Sequence, residues 1–80
     1  MSIIIHHYGV FRKLGSSTAL DVPLPATIGA VRAALIAQLG DQHKLLVEDS
    51  ALANDTDILP DEYVIEDEHA LSILPPVCGG

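Results

Sequence analysis

At 80 residues the chain has room for one domain, and with a single cysteine, Cys78, that domain has to hold together without an internal disulfide. Four basic against eleven acidic side chains give a net charge of −7, which argues against a nucleic-acid backbone as partner and for a basic groove on another protein. The longest clean apolar run, Ala33 to Ala37, falls far short of the roughly 20 residues a membrane span needs.

The first residues, Met1-Ser2-Ile3-Ile4-Ile5-His6, lack the basic start of a signal peptide and read as a strand. No targeting segment stands out, and a lone thiol suits a reducing compartment, so a soluble cytoplasmic domain is expected. The β-branched stretch from Ile3 predicts extended chain continuing through Tyr8, Val10 and Phe11. Gly15-Ser16-Ser17 breaks it, and Thr18 to Val22 alternates apolar Leu20 and Val22 with polar Asp21, as a half-buried strand does. These two strands predict an N-terminal hairpin.

Pro23 and Pro25 end the second strand, and Thr27 is placed to cap a helix. Ile28, Val31, Leu35 and Leu39 then recur at spacings of three and four, one face of an amphipathic helix, with Ala30, Ala33, Ala34 and Ala37 available for close packing. Gly40 stands where a left-handed C-cap belongs. Asp41 to Asp49 fits either a short helix or a buried strand. Ala51-Leu52-Ala53 predicts a short strand, Asn54-Asp55 a tight turn, and Thr56 to Leu59 the return. Pro60-Asp61-Glu62 is loop, Ile65 plugs the core beneath an acidic turn at Glu66-Asp67-Glu68, and Ala70 to Leu74 is the last strand. The order β-β-α-β-β-β predicts an α+β domain: a mixed sheet with one main helix packed across it, first and last strands parallel neighbours. This is the β-grasp arrangement, the architecture of ubiquitin.

The end of the chain is its most informative segment: Leu74-Pro75-Pro76-Val77-Cys78-Gly79-Gly80. Two adjacent prolines fix φ and remove two donors, so the sheet has to stop and the chain leaves as a stiff rod. Val77 to Gly80 can then reach about 13 Å at ~3.3 Å per residue. Terminal glycines carry no side chain to clash in a narrow tunnel. A folded anchor over residues 1–80 with a flexible tail at 75–80 suits insertion into the active site of another protein.

Behind a β-grasp pattern, the run Ile-Leu-Pro-Pro-Val-Cys-Gly-Gly resembles the ubiquitin-like sulfur carriers, most closely the small subunit of molybdopterin synthase. Pro75 to Gly80 match that family's Pro-Pro-Val-x-Gly-Gly ending. Tyr8-Gly9-Val10-Phe11-Arg12-Lys13 loosely follows its aromatic–Ala–x–Leu–Arg–Glu pattern, keeping Arg12 and replacing the acid by Lys13. Glu68-His69-Ala70 departs from its Gly-Asp-Glu turn, and Ala53-Asn54-Asp55 only partly matches Val-Asn-Gly. The thiamine carriers share the Gly-Gly ending, but the Pro-Pro pair is more typical of the molybdopterin branch.

The resemblance implies a carrier that is not an enzyme by itself and binds no cofactor. An E1-like adenylyltransferase uses ATP to form a Gly80 acyl-adenylate. Sulfur from a desulfurase- or rhodanese-type donor then displaces AMP, leaving a thiocarboxylate that the larger synthase subunit delivers to the molybdopterin precursor. Gly79 and Gly80 are the reacting end; Leu74, Pro75, Pro76, Val77 and Cys78 meet the partners. A thiamine or other thiolated metabolite as acceptor, and a ubiquitin-like protein modifier, are the alternatives.

Other chemistry finds little support. His6 and His7 leave opposite faces of one strand, and His43 and His69 have no ligand at metal-binding spacing. Ser16-Ser17 lacks a nearby base and a nucleophile elbow. Cys78 is read as an ordinary tail residue, and Asp61, Glu62, Glu66, Asp67 and Glu68 as a solvated face.

Overall fold

The computed structural model describes residues 2–67 and 70–76. Strands β1 (Ser2–His7) and β2 (Ser17–Asp21) form the antiparallel hairpin, with Ile3 opposite Leu20 and Ile5 opposite Thr18. Then follow β3 (Ala26–Thr27), α1 (Ile28–Leu39), α2 (Lys44–Glu48), β4 (Ala51–Ala53), β5 (Ile58–Leu59), β6 (Val64–Ile65) and β7 (Ala70–Leu74). Five strands share one sheet in the order β2-β1-β7-β4-β5, while β3 and β6 pair separately. As the layout predicted, β1 and β7 are parallel, Ile5 beside Leu71 and His7 beside Ile73. On its other side β7 runs antiparallel to β4, with Leu52 opposite Ile73.

Helix α1 begins where the sequence places it. The Thr27 side chain accepts a hydrogen bond from the Ala30 amide at 3.1 Å, while the Ile28 and Gly29 amides donate to the Tyr63 and Asp61 carbonyls, each at 2.9 Å. Three amides that a helix start leaves without an internal partner are thereby satisfied. Ile28, Val31 and Leu35 are fully buried against Ile3, Ile5, Leu52, Leu71 and Ile73, with Leu39 at the margin. Ile65 completes the core from below, as its place before the acidic turn suggested.

Four expectations are corrected. The first strand stops at His7: Gly9–Leu14 is a 3-10 segment, because Gly9 takes φ +58° and turns the chain, carrying Phe11 into the core with no exposure. Gly40 has positive φ (101°) but extended ψ (157°), so it is not a left-handed cap; its amide still closes the last helical turn on the Ile36 carbonyl at 2.8 Å. Of the helix alanines only Ala34 packs against the core; Ala30, Ala33 and Ala37 face outward. The β3–β6 pair, two residues in each strand, is not among the expected strands: the sequence marks Thr27 only as a helix cap and Ile65 only as a core residue. The open choice at 41–49 resolves to helix, a 3-10 turn at Asp41–His43 followed by α2, which buries Val47.

Arg32 binds these layers together. Its Nη1 donates to the carbonyls of Val47 and Ser50, both at 2.7 Å, and its Nε and Nη2 reach Asp61 at 3.2 and 3.1 Å. One side chain therefore ties α1 to the end of α2 and to the loop before β6. Asp61, read as part of a solvated acidic face, is thus partly committed to this ion pair.

Candidate functional site at the root of the tail

Strand β7 lies in the middle of the sheet and leads directly into Pro75 and Pro76. Proline has no amide to continue either ladder, so regular pairing ends at Leu74, opposite Ala51. Leu74 and Pro75 are half-buried and Pro76 is exposed. Val77, Cys78, Gly79 and Gly80, the remainder of the predicted site, lie outside the described residues, as do Glu68 and His69.

Pro75 rests on Gly9. A β-carbon built at Gly9 would lie 2.5 Å from the Pro75 Cγ, well inside the ~3.5–4.0 Å of an ordinary carbon contact. The backbone of the turn after β1 is therefore the bed of the first tail residue. In the sequence Gly9 stands only within the loose family pattern at Tyr8 to Lys13. Its signal was a glycine interrupting a β-branched run, which marks a break or a close backbone approach.

Behind this turn sits His7, 3% exposed. Its Nδ1 is 2.9 Å from the Gly15 carbonyl, and its Nε2 is 2.6 Å from the Thr18 hydroxyl. A carbonyl can only accept, so Nδ1 carries the proton, and in the neutral ring Nε2 takes the hydroxyl hydrogen. The imidazole thereby ties the end of the 8–16 loop, at Gly15, and the start of β2, at Thr18, to β1, with the Phe11 ring at 6.4 Å between centroids. His6, its neighbour, faces the opposite side and is exposed, as strand alternation requires. Among the described residues no three metal-ligating side chains come together.

The outward face of the sheet carries little charge. Register aligns Ala19, Ile4 and Ala70 in one row, and Ser17, His6, Ser72, Ala53 and Ile58 in the next. One step beyond the His7–Ile73 pair, Tyr8 and Leu74 begin a third row that Ala51 continues. Asp21 occupies the corner opposite Ser2, at the end of the sheet away from the tail. Exposed Tyr8, Val10 and Leu14 extend the apolar surface onto the 3-10 segment, where Arg12 and Lys13 are also exposed. Among the described residues no helix is long and apolar enough to cross a membrane.

The ThiS family model matches residues 8–80. Among solved structures, the crystal structure of SAMP1 from Haloferax volcanii superimposes with a TM-score of 0.79 at 16% identity, covering all of both chains. At that identity the likeness establishes the fold, a ubiquitin-like β-grasp. The ubiquitin of Caldiarchaeum subterraneum superimposes with a TM-score of 0.69 at 27% identity, over all of this chain and 98% of that one. No curated protein matches the chain.

Proposed function

The chain belongs to the ThiS family, and on that premise we propose that it is a cytoplasmic sulfur carrier whose Gly80 carboxylate becomes a thiocarboxylate. Ubiquitin-like carriers of this kind work with E1-like activating enzymes. A carboxylate is a poor electrophile, so its oxygen first attacks the α-phosphate of ATP and pyrophosphate leaves. A donor persulfide then displaces AMP from the acyl carbon, and a second thiol opens the resulting acyl disulfide to leave the thiocarboxylate. In this reading the chain supplies no acid, base or metal; it presents the reacting end and the surface that partners grip.

The observation that carries the reading is the root of the tail. A stiff Pro75-Pro76 stem leaves the central strand, seated on Gly9, with Gly79 and Gly80 beyond it. Intact-mass measurement after incubation with activating enzyme, ATP and sulfur donor tests it, the expected product having one oxygen replaced by sulfur. An unchanged mass with an enzyme shown to be competent overturns the proposal.

For the acceptor we propose the molybdopterin precursor, through the larger synthase subunit, because the Pro-Pro pair favours that branch over thiamine. Co-purification of a thiazole synthase instead would move the carrier to the thiamine branch. The 27% identity to a protein named ubiquitin favours one second reading, a modifier joined through Gly80 to lysines. Lysine conjugates in cell lysate would mark it.

A further inference from the structure

Gly9 does more than turn the chain. Its φ of +58° lies in the left-handed region, which asparagine and aspartate also enter, so the turn alone does not require glycine. The Pro75 ring does. Its Cγ lies 2.5 Å and its Cδ 3.3 Å from a β-carbon built at residue 9, so a side chain there displaces the ring. The floor under Pro75 is also held from behind. The Phe11 amide donates to the Tyr8 carbonyl at 3.2 Å, the His7 amide to the Ser16 carbonyl at 3.0 Å and the Gly15 amide to the Arg12 carbonyl at 3.1 Å. Phe11 has no exposure, and the buried His7 ring engages Gly15 and Thr18. Above this floor, Pro75 fixes its own φ and confines Leu74 to extended backbone, while Pro76 is exposed. The grip of the domain on the described part of its tail therefore ends at the Gly9–Pro75 contact.

We propose that Gly9 is a positioning residue for activation at Gly80: by taking Pro75 against its bare α-carbon, it aims the stem so that the carboxylate arrives at the α-phosphate of ATP. The inference rests on the sulfur-carrier reading and adds to it a residue far from the reacting end. Five residues follow Pro75. At ~3.3 Å each they span up to about 16 Å. On an arm of that length a swing of about 20° at the root moves the end by roughly 5–6 Å, more than the ~3–3.5 Å between atoms poised to react. Without the seat, the activating enzyme has to order the root as well as the end; with it, that ordering is done before the two meet. Gly9 touches neither ATP nor the carboxylate and acts through the Pro75 ring.

The test measures kcat and KM for the intact chain as substrate of an E1-like adenylyltransferase from the same source, read as chain-dependent pyrophosphate release. Gly9→Asn keeps a residue that tolerates positive φ but restores the β-carbon, and Pro75→Ala empties the seat. Each is expected to lower kcat about tenfold, the equivalent of one more residue to be ordered, with KM within about twofold. The two together are expected to lower kcat about tenfold and not a hundredfold, because both remove the same contact. Gly40→Ala, at a positive-φ glycine with nothing within 4 Å of a built β-carbon, is expected to leave both constants as they were. Unchanged kcat in either seat variant, a rise in KM with kcat unmoved, effects that multiply in the double variant, or an equal loss in Gly40→Ala overturns the proposal and leaves the carrier reading intact. If Gly9→Asn does not fold, Pro75→Ala, beyond the last strand, decides alone by the same kcat and KM criteria. If the unmodified chain is not activated at all, the carrier reading falls and the positioning role with it.

Discussion

Replacing Gly9 by alanine separates a strained backbone from a displaced tail. Gly9 sits at φ +58°, where an L side chain costs about 1–2 kcal/mol. The new methyl would also fall 2.5 Å from the Pro75 Cγ, part of a ring that cannot swing aside. Relieving an overlap of that size typically costs a further ~1–3 kcal/mol. Gly40→Ala shows backbone strain without a clash, in a different positive-φ region (φ 101°, ψ 157°), because nothing lies within 4 Å of a β-carbon built there. The expected losses are therefore about 2–5 kcal/mol for Gly9→Ala and about 1–3 for Gly40→Ala. In a domain of this size the former lowers the melting temperature by on the order of 10–40 °C. Adding Pro75→Ala to Gly9→Ala should regain the steric part, giving a coupling of roughly 1 kcal/mol or more in a double-mutant cycle read by thermal and denaturant unfolding. The reasoning is refuted if Pro75→Ala restores no stability to Gly9→Ala.

Four further outcomes are expected. Arg32→Met removes the guanidinium donor from the Ser50 carbonyl and from the Val47 carbonyl, which keeps the Ser50 amide, and should cost about 1–3 kcal/mol, with faster amide exchange across 44–50; Arg32→Lys should recover only part of it. Thr27→Ala removes the cap on the Ala30 amide and should cost about 1 kcal/mol in denaturant titration, whereas Thr27→Ser should restore most of it. Leu74→Asp, at a half-buried position on the outer face, should weaken partner binding tenfold or more, as ~1.5–3 kcal/mol of apolar contact implies, while the circular dichroism of the fold persists. Cys78→Ser should be sulfurated and transfer sulfur at close to the normal rate, since no basic residue stands near Cys78 in the sequence to activate its thiol; a large loss with partner binding intact would put that thiol in the mechanism.

Much of the fold was legible because its signals are local. Thr27 and Gly40 bracket the helix, the apolar spacing of Ile28, Val31 and Leu35 faces it correctly, and the Asn54 turn is fixed by its own side chain. The Asn54 Oδ1 accepts from the amides of Thr56 and Asp57 at 2.9 and 2.7 Å. The 3-10 segment was hidden because Val10 and Phe11 look like continued strand, and only the burial of Phe11 by distant strands selects the turn. Strands β3 and β6 are too short to show alternation. The roles of Arg32 and His7 depend on groups 8 to 29 positions away in sequence, so nothing near them in the chain announces them. At the candidate site the end of the last strand at Leu74 is legible, because Pro75 and Pro76 cannot extend a ladder; that Gly9 seats Pro75 is not, since the contact joins opposite ends of the chain.

The placement of β7 between β1 and β4 has a mechanical consequence. A partner that draws the tail inward pulls along the axis of the strand gripped on both sides, parallel to one neighbour and antiparallel to the other. Such a load shears both ladders at once instead of peeling their hydrogen bonds one after another, as traction on an edge strand such as β5 would. The chain can thus be tugged by its end, held under tension and released, with the fold acting as a stopper that does not give way.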